Sequence, residues 1–475
     1  MIFAHRFAPA SLFATMTLLM LATPTFAQDS AEQPSNYRLA ARFAPYKIQD
    51  LIHSTSVDPK WIEDTEKFWY EWETSNGTFY YIVDPVAGTK QQIFDNDRIA
   101  AELTRITRDP WDGRHLPIRS IKFIDENTLQ FEVESSQDEE EQETETNMEE
   151  QEDGEERRHR SKKKVFHFEY DVGTQVLREL EDWEAPDNHP SWASVSPDDQ
   201  TIIYARNHNL HLMTESDYGK ILEARRGKSG DEADEAEEEI EISDEQLTTD
   251  GAEHYSYAVS DRGDTDQERE ESADKRKRAS ISWSPDSHRF SIVRTDRRES
   301  GNLWVIHTVG NKRPELESYK YDMPGEETVS QHELLVYDLN ERTMTQVAMD
   351  PWKDQRLFTF SSRQFRYPDS EEPSRTLWLS DNSDQLYFWR RSRDQHRVDV
   401  MVADAVTGDV QLLIEERLNT YVESQRLELL ASGDMIWWSE RDGWAHLYRF
   451  APDGTLRNRL TEGPWSVRRV VGIDE

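Results

Sequence analysis

The sequence predicts an all-β chain: a β-propeller of about seven four-stranded blades with the start of an eighth, the ring left incomplete. Three observations carry this. Residues 435–460 read as strand, Asp442-Gly443 turn, strand, Asp453-Gly454 turn and strand, an up-and-down meander. Looser copies of that meander recur at a spacing of roughly 40–45 residues, the period of one blade. A Ser-Pro-Asp turn heads two of the copies, at residues 195–199 and 283–287. A β-sandwich would also supply many strands but does not explain that recurrence, and neither the kelch nor the tryptophan–aspartate signature repeats.

Taken in order, residues 1–27 read as a secretory signal: His5 and Arg6, an apolar run over 12–22, and the small-x-small site Thr25-Phe26-Ala27. That run is too short to span a bilayer comfortably. Cleavage before Gln28 would leave no stable membrane anchor and a periplasmic or secreted chain; an uncleaved anchor is the alternative. Residues 28–57 are a polar lead-in, and 58–475 form the propeller. Strands are expected at 58–61, 68–72, 79–84 and 91–94, separated by turns at Ser75-Asn76-Gly77 and Gly88-Thr89. Ile99, Leu103 and Ile106 give residues 98–107 helical spacing.

Strands at 118–124 and 128–133 open a second blade, which an insertion at about 135–164 interrupts before strands resume at 165–171 and 175–180. The insertion is acidic over 138–156 and basic over 157–164, with too few apolar residues to bury, so it is expected to be disordered or mobile. Further charged insertions lie at about 228–246, where alternating Ala and Glu allow a helix, and at 261–278. In each Ser-Pro-Asp copy a strand, a turn and a second strand follow (201–205 with 209–212, and 289–293 with 302–305). Strands at 319–324, 333–339 and 343–347 are assigned to the next blade. Residues 375–379, 385–390, 398–403 and 410–415 form a complete one, and 465–473 the first strand of another.

Composition narrows function. The net charge of −39 over 475 residues is too acidic for a general nucleic-acid binder. With no cysteine there is no disulfide or thiolate-metal site, so stability must come from packing. The histidines lack clustered or H-E-x-x-H spacing. Asp95-Asn96-Asp97 and Asp381-Asn382-Ser383-Asp384 lack the glycine and distal Glu of a calcium loop. No metal or cofactor is expected. His446 reads as packed in its hairpin.

Three stretches resemble the amino-terminal propeller of the dipeptidyl peptidase IV branch of the prolyl oligopeptidase family. They are Trp283-Ser284-Pro285-Asp286, the hairpin from Ser439-Glu440-Arg441-Asp442-Gly443 to His446-Leu447-Tyr448, and Leu460-Thr461-Glu462-Gly463-Pro464-Trp465. Residues 319–339 look like the segment after that family's fourth blade. The resemblance implies an eight-bladed propeller that gates and anchors peptide substrates for an α/β-hydrolase domain with a Ser-Asp-His triad. This sequence has no G-x-S-x-G elbow and no βαβ alternation, so no catalytic residue is assigned and the chain reads as truncated before the hydrolase.

A glutamate pair before the Trp-Ser-Pro strand binds the substrate's amino group in that family; Glu268, Glu270 and Glu271 occupy the corresponding region. The family's Asp-Trp-Val-Tyr lead is missing and Lys275-Arg276-Lys277-Arg278 follows, so a solvated charged loop is the alternative. A family arginine that contacts the substrate carbonyl would be Arg160, with Arg157 and Arg158 nearby; ion pairing within the loop is the blander account. The expected function is thus a peptide-anchoring propeller of a secreted or periplasmic serine exopeptidase, with room for a homodimer. A stand-alone binding or scaffold propeller is the alternative, and a remnant with unclosed strand edges the third reading.

Overall fold

The computed structural model describes residues 36–48, 52–138, 163–259, 265–309, 312–364, 370–423 and 426–473. The signal stretch, residues 139–162 of the acidic insertion, and Arg157, Arg158 and Arg160 lie outside them. Two compact units divide the chain, Met1–Glu179 and Leu180–Glu475.

The first unit opens with the short helices α1 (Tyr37–Ala40) and α2 (Pro45–Ile48). Its first sheet runs β1 (Lys60–Trp61), β2 (Phe68–Thr74), β3 (Gly77–Asp84) and β4 (Thr89–Gln92), a meander in sequence order. Helix α3 (Asn96–Thr107) follows, capped by the Asp95 carboxylate, which accepts from Arg98 N–H, and ended by Arg108 at φ 64. The second sheet is β5 (Ile118–Phe123), β6 (Thr128–Asp138), β7 (Lys163–Asp171) and β8 (Val176–Glu179). Strands β6 and β7 pair as far as Glu134↔Val165 and Asp138↔Lys163, so the charged insertion hangs from a hairpin. One core joins both sheets to α3, with Trp69, Ile82, Leu103, Phe131 and Phe168 among its members.

In the second unit β9 (Ser194–Val195), β10 (Thr201–Arg206), β11 (Asn209–Thr214) and β12 (Asp244–Gln246) form a four-stranded sheet, with α4 (Glu215–Arg225) and α5 (Asp231–Glu238) inserted before β12. After α6 (Asp266–Glu271) come β13 (Ile281–Trp283), β14 (Arg289–Asp296), β15 (Asn302–His307), β16 (Glu315–Lys320), β17 (Gln331–Asp338) and β18 (Thr343–Gln346). The last two sheets are β19 (Arg356–Thr359) to β20 (Gln385–Arg391), β21 (Arg397–Asp404) and β22 (Val410–Arg417), then β23 (Glu428–Leu429) to β24 (Met435–Ser439), β25 (His446–Phe450) and β26 (Leu456–Arg459). Across the described residues there are six four-stranded antiparallel sheets and one two-stranded ribbon, the blades of an all-β, propeller-type fold.

Middle strands are buried on both faces, and their alternation divides residues between two cores. On β10, Ile202 and Tyr204 pack with Trp192 and Met213, while Ile203 and Ala205 pack with Trp283 and Phe290 of the next sheet. On β17, Leu335 and Tyr337 join that same core, and Leu334 and Val336 join one shared with Phe388 and Met401. On β21, Met401 and Ala403 face back while Val398 and Val400 face Trp437 and Tyr448. Within the second unit, successive sheets are thereby stacked on one another through period-2 geometry.

The Ser-Pro-Asp turns share one construction. Ser196 Oγ donates to Asp198 and accepts from Thr201 N–H at 3.0 Å, and Asp199 takes φ 61. Ser284 Oγ donates to Asp286 and accepts from Arg289 N–H at 2.9 Å, and Ser287 takes φ 64. A third copy joins β20 to β21 without proline: Ser392 Oγ donates to Asp394 and accepts from Arg397 N–H at 3.1 Å, with Gln395 at φ 63.

Three strand assignments differ from the sequence reading. Residues 302–305 do not continue the blade begun at Ser284; β15 and β16 pair only with each other, and β14 pairs instead with β17 from Arg289↔Asp338 to Asp296↔Gln331. Strands β17 and β18 therefore complete the same blade. Residues 375–379 are not the first strand of theirs, a place taken by β19. Leu377 bridges Trp283 in parallel, and Trp378 Nε1 donates to Ser282 O at 2.8 Å, drawing this segment onto β13. Residues 465–473 form no strand. Val467 N–H donates to Ala445 O at 2.8 Å, and Val470 and Val471 carbonyls accept from Arg363, so single bonds replace a ladder.

Gly454, in the β25–β26 turn at φ 86, would place a Cβ against the Leu413 carbonyl and 2.9 Å from its Cα. Gly454→Ala is expected to lower stability by roughly 1–3 kcal/mol, combining a left-handed backbone with backbone overlap. Chemical denaturation measures it; an unchanged midpoint would mean that the two sheets do not approach this closely.

Candidate functional site

Strand β14 continues its alternation beyond the expected end at residue 293. Val293, Thr295 and Arg297 fall on one side and line a cavity of about 280 Å³, closed by the loop 253–259 and by α6. Arg294, between them, points the other way and is 5% exposed, paired with Asp250 at 2.7 Å and Glu333 at 3.0 Å and stacked on Tyr255.

Helix α6 starts where Thr265 and Glu268 form a capping box: Thr265 Oγ1 accepts from Glu268 N–H at 3.1 Å, and the Glu268 carboxylate accepts from Thr265 N–H at 2.8 Å. Donation from Thr265 N–H and from its hydroxyl holds the Glu268 carboxyl below the usual range. Asp266 and Arg269, three residues apart, share the cavity face and pair at 3.2 Å.

The three predicted glutamates are exposed and off that face. Glu268 serves the cap, and Glu271 accepts from Gln267 Nε2 at 2.7 Å. Glu270 lies 3.7 Å from Nε2 of His208, itself a lining residue, so it alone reaches the cavity rim. Arg160 is outside the described residues. His446 is 2% exposed, its Nε2 3.1 Å from the Gly463 carbonyl, which can only accept, so that nitrogen carries the proton.

The basic run after α6 is largely tied into local structure. Lys275 pairs with Glu238 at 3.2 Å and Arg276 with Glu237 at 3.4 Å, both acids on α5. Lys277 Nζ donates to Ser272 Oγ at 2.7 Å on the cavity wall. Arg206 pairs with Asp244 at 2.9 Å, and His254 lies 3.2 Å from Glu253.

Arg297 differs. It is half-buried and meets no side-chain acceptor among the described residues. Burial, then the charges of Arg269 and Arg356 against the opposing pull of Asp322 and Asp266, leave its guanidinium below the usual arginine range. His332 stands beside it, its Nδ1 3.1 Å from Thr295 Oγ1. Burial, reinforced by Arg356 and Arg297, depresses that imidazole to about 4. Sequence reading missed Arg297 and His332. The only signal for Arg297 was a strand continuing through Thr295-Asp296-Arg297, which polar side chains concealed. Among the described residues, no group of three or more His, Asp or Glu is placed to hold a metal.

A family model described as the dipeptidyl peptidase IV (DPP IV) N-terminal region matches residues 236–475. Among solved structures, the chain is similar to Porphyromonas gingivalis dipeptidyl peptidase 4 at 18% identity and a TM-score of 0.45, covering 90% of this chain and 50% of that one. It is also similar to a putative dipeptidyl aminopeptidase IV from Bacteroides ovatus at 15% identity and a TM-score of 0.43, covering 89% and 49%. TolB from Acinetobacter baumannii follows at 11% and 0.24, covering 82% and 62%. The chain spans about half the length of the first two structures.

The folded protein keeps His332 neutral down to about pH 4, whereas an unfolded chain takes up that proton near pH ~6.5. Between those values the unfolded state binds more protons, so stability falls as pH drops through the window and levels off below it. The full shift corresponds to roughly 3 kcal/mol. His332→Gln is expected to flatten that part of the profile in urea melts at neutral pH and near pH ~4.5; equal losses in both proteins would remove His332 as the cause.

Proposed function

The chain belongs to the family of the dipeptidyl peptidase IV N-terminal region, and from that premise we propose that it gates and anchors peptide substrates for a secreted or periplasmic serine exopeptidase. Its partner in this role is an α/β-hydrolase domain, which supplies the nucleophile, base and acid of acyl transfer. The observation that carries the reading is the cavity beside α6, in the part of the chain where the family places its substrate anchor. It has polar walls of both signs and a size suited to one end of a peptide rather than a folded chain.

Glu270 at the rim, with Glu271 one residue on, is the proposed anchor for the substrate's free ammonium group. A carboxylate holds an ammonium through charge-assisted hydrogen bonds of about 2.7–2.9 Å, shorter and stronger than neutral ones. Fixing one end of the peptide sets the distance from that end to the bond cleaved, which favours exopeptidase over internal cleavage. Arg160 is the proposed contact for the substrate carbonyl. Export through a signal ending at Ala27 would place the protein among extracytoplasmic peptides; an exported chain whose amino terminus is not Gln28 would refute that cleavage site.

In the protein joined to its hydrolase domain, Glu270→Gln/Glu271→Gln is expected to raise KM for dipeptidyl amides by about 10–100-fold, the loss of one charged hydrogen bond of roughly 1.5–3 kcal/mol. Steady-state kinetics on X-Pro and X-Ala amides read it, with kcat moving less than KM. Unchanged KM would remove the pair from the anchor.

A further inference from the structure

We infer that the cavity bounded by Arg297, Arg269 and Lys277 is a subsite for a carboxylate of the bound peptide, with Arg297 as its principal contact. The inference rests on the peptide-anchoring reading and adds a second anchor, of opposite sign to the glutamates.

The argument starts from unmatched charge. Other partly or fully buried arginines in this unit have partners: Arg289 meets Asp338 at 2.8 Å, Arg294 Asp250 at 2.7 Å and Arg390 Asp399 at 2.9 Å. Arg393 and Arg426 donate to the Asp322 and Ser361 carbonyls, and Arg391 and Arg397 stack on Trp389 and Trp352. Arg297 is half-buried, lines the cavity and meets no side-chain acceptor among the described residues, so its N–H groups are left to whatever fills the cavity, water included. The charges acting on Arg297 are Arg269 and Arg356, of like sign, opposed by Asp322 and Asp266, and neither acid bonds its guanidinium. In a chain of net charge −39, the cationic side chains of Arg269, Lys277 and Arg297 around one cavity, the last without a bonded acceptor, favour an anion there.

The acids on the cavity wall do not cancel this. Asp266 is engaged by Arg269 at 3.2 Å and Glu253 lies 3.2 Å from His254, while Asp322, off the wall, accepts from Ser330 N–H at 3.0 Å. Ligand chemistry follows from shape. A planar guanidinium presents paired N–H groups that match the two oxygens of a carboxylate. Val293, Ala258 and Tyr257 supply apolar wall for the aliphatic carbons beside it. About 280 Å³ admits a chain end or one acidic side chain and little more.

Two sources of carboxylate fit, a free C-terminus or an Asp or Glu side chain, and the test separates them. Wild type, Arg297→Met and Arg297→Lys are melted with and without sodium glutarate at constant ionic strength. Glutarate should raise the Tm of wild type, raise that of Arg297→Lys less, and leave Arg297→Met unmoved, because a ligand stabilises only a state that binds it. Without ligand, Arg297→Met should melt at or above wild type, relieved of an unmatched charge. A glutarate shift that is absent from wild type, or equal in Arg297→Met, overturns the subsite.

Calorimetry then compares Ala-Ala-Ala-Ala with a free C-terminus, the same peptide amidated, and amidated Ala-Ala-Glu-Ala. Binding of the free acid about ten-fold tighter than its amide assigns the C-terminus, and the same gain for the glutamyl amide assigns the side chain. Either preference should vanish in Arg297→Met; a preference that persists there overturns the role of Arg297 while peptide anchoring stands. If none of the peptides binds although glutarate stabilises wild type alone, peptide anchoring fails and the carboxylate subsite survives it.

Discussion

The structure of the second unit depends on strands that must bury both faces at once. A strand lying between two stacked sheets gives alternate residues to alternate cores, so it cannot spend one face on solvent. Ile202, Ile203, Tyr204 and Ala205 are each 0% exposed, and Leu334, Leu335, Val336 and Tyr337 nearly so. Outermost strands such as β4 and β26 are exposed along their whole length. With no cysteine in the chain, this shared packing holds successive blades together, each core shared by two sheets. Removing volume from one core therefore loosens two blades.

That constraint also decides what could be read beforehand. Doubly buried strands appear as unbroken apolar runs between turn residues, and β10, β17, β20 and β21 were legible for that reason. Pairing across an insertion was not. Nothing local in residues 289–296 indicates that their partner lies at 331–338 rather than 302–305, because both are apolar strands of suitable length. The serine–aspartate turn at residues 392–396 was missed because the proline that marked its relatives is absent, although Ser392 and Asp394 do the same hydrogen bonding. At the site, composition pointed to the acids of α6 but could not say which face each would take. Two of the three glutamates are engaged with Thr265 and Gln267 on the helix itself.

Charge in this protein is matched more locally than its composition suggests. The acidic stretch of α5 and the basic run after α6, far apart in sequence, meet each other. Glu237, 5% exposed, accepts from Trp192 Nε1 at 2.8 Å and pairs with Arg225 at 2.5 Å and Arg276 at 3.4 Å. A carboxylate so surrounded is expensive to strand and well satisfied as it stands. What reads as two separate charged insertions is one junction, buried at Glu237 and Arg225, that ties α4, α5 and the segment leading into β13 to one another. Against that background of satisfied pairs, the guanidinium of Arg297 stands out.

The ribbon of β15 and β16 lies between two strands that are hydrogen-bonded neighbours, and Trp304, Ile306 and Leu316 on it are exposed. Its length is therefore uncoupled from the sheet that carries it. Lengthening or trimming such an excursion changes closure entropy by only about 0.6 kcal/mol per doubling, while every residue of the eight-pair β14–β17 ladder stays in register. Lineages could remodel the far end of this projection, away from where β16 meets α6, without renegotiating the blade beneath it.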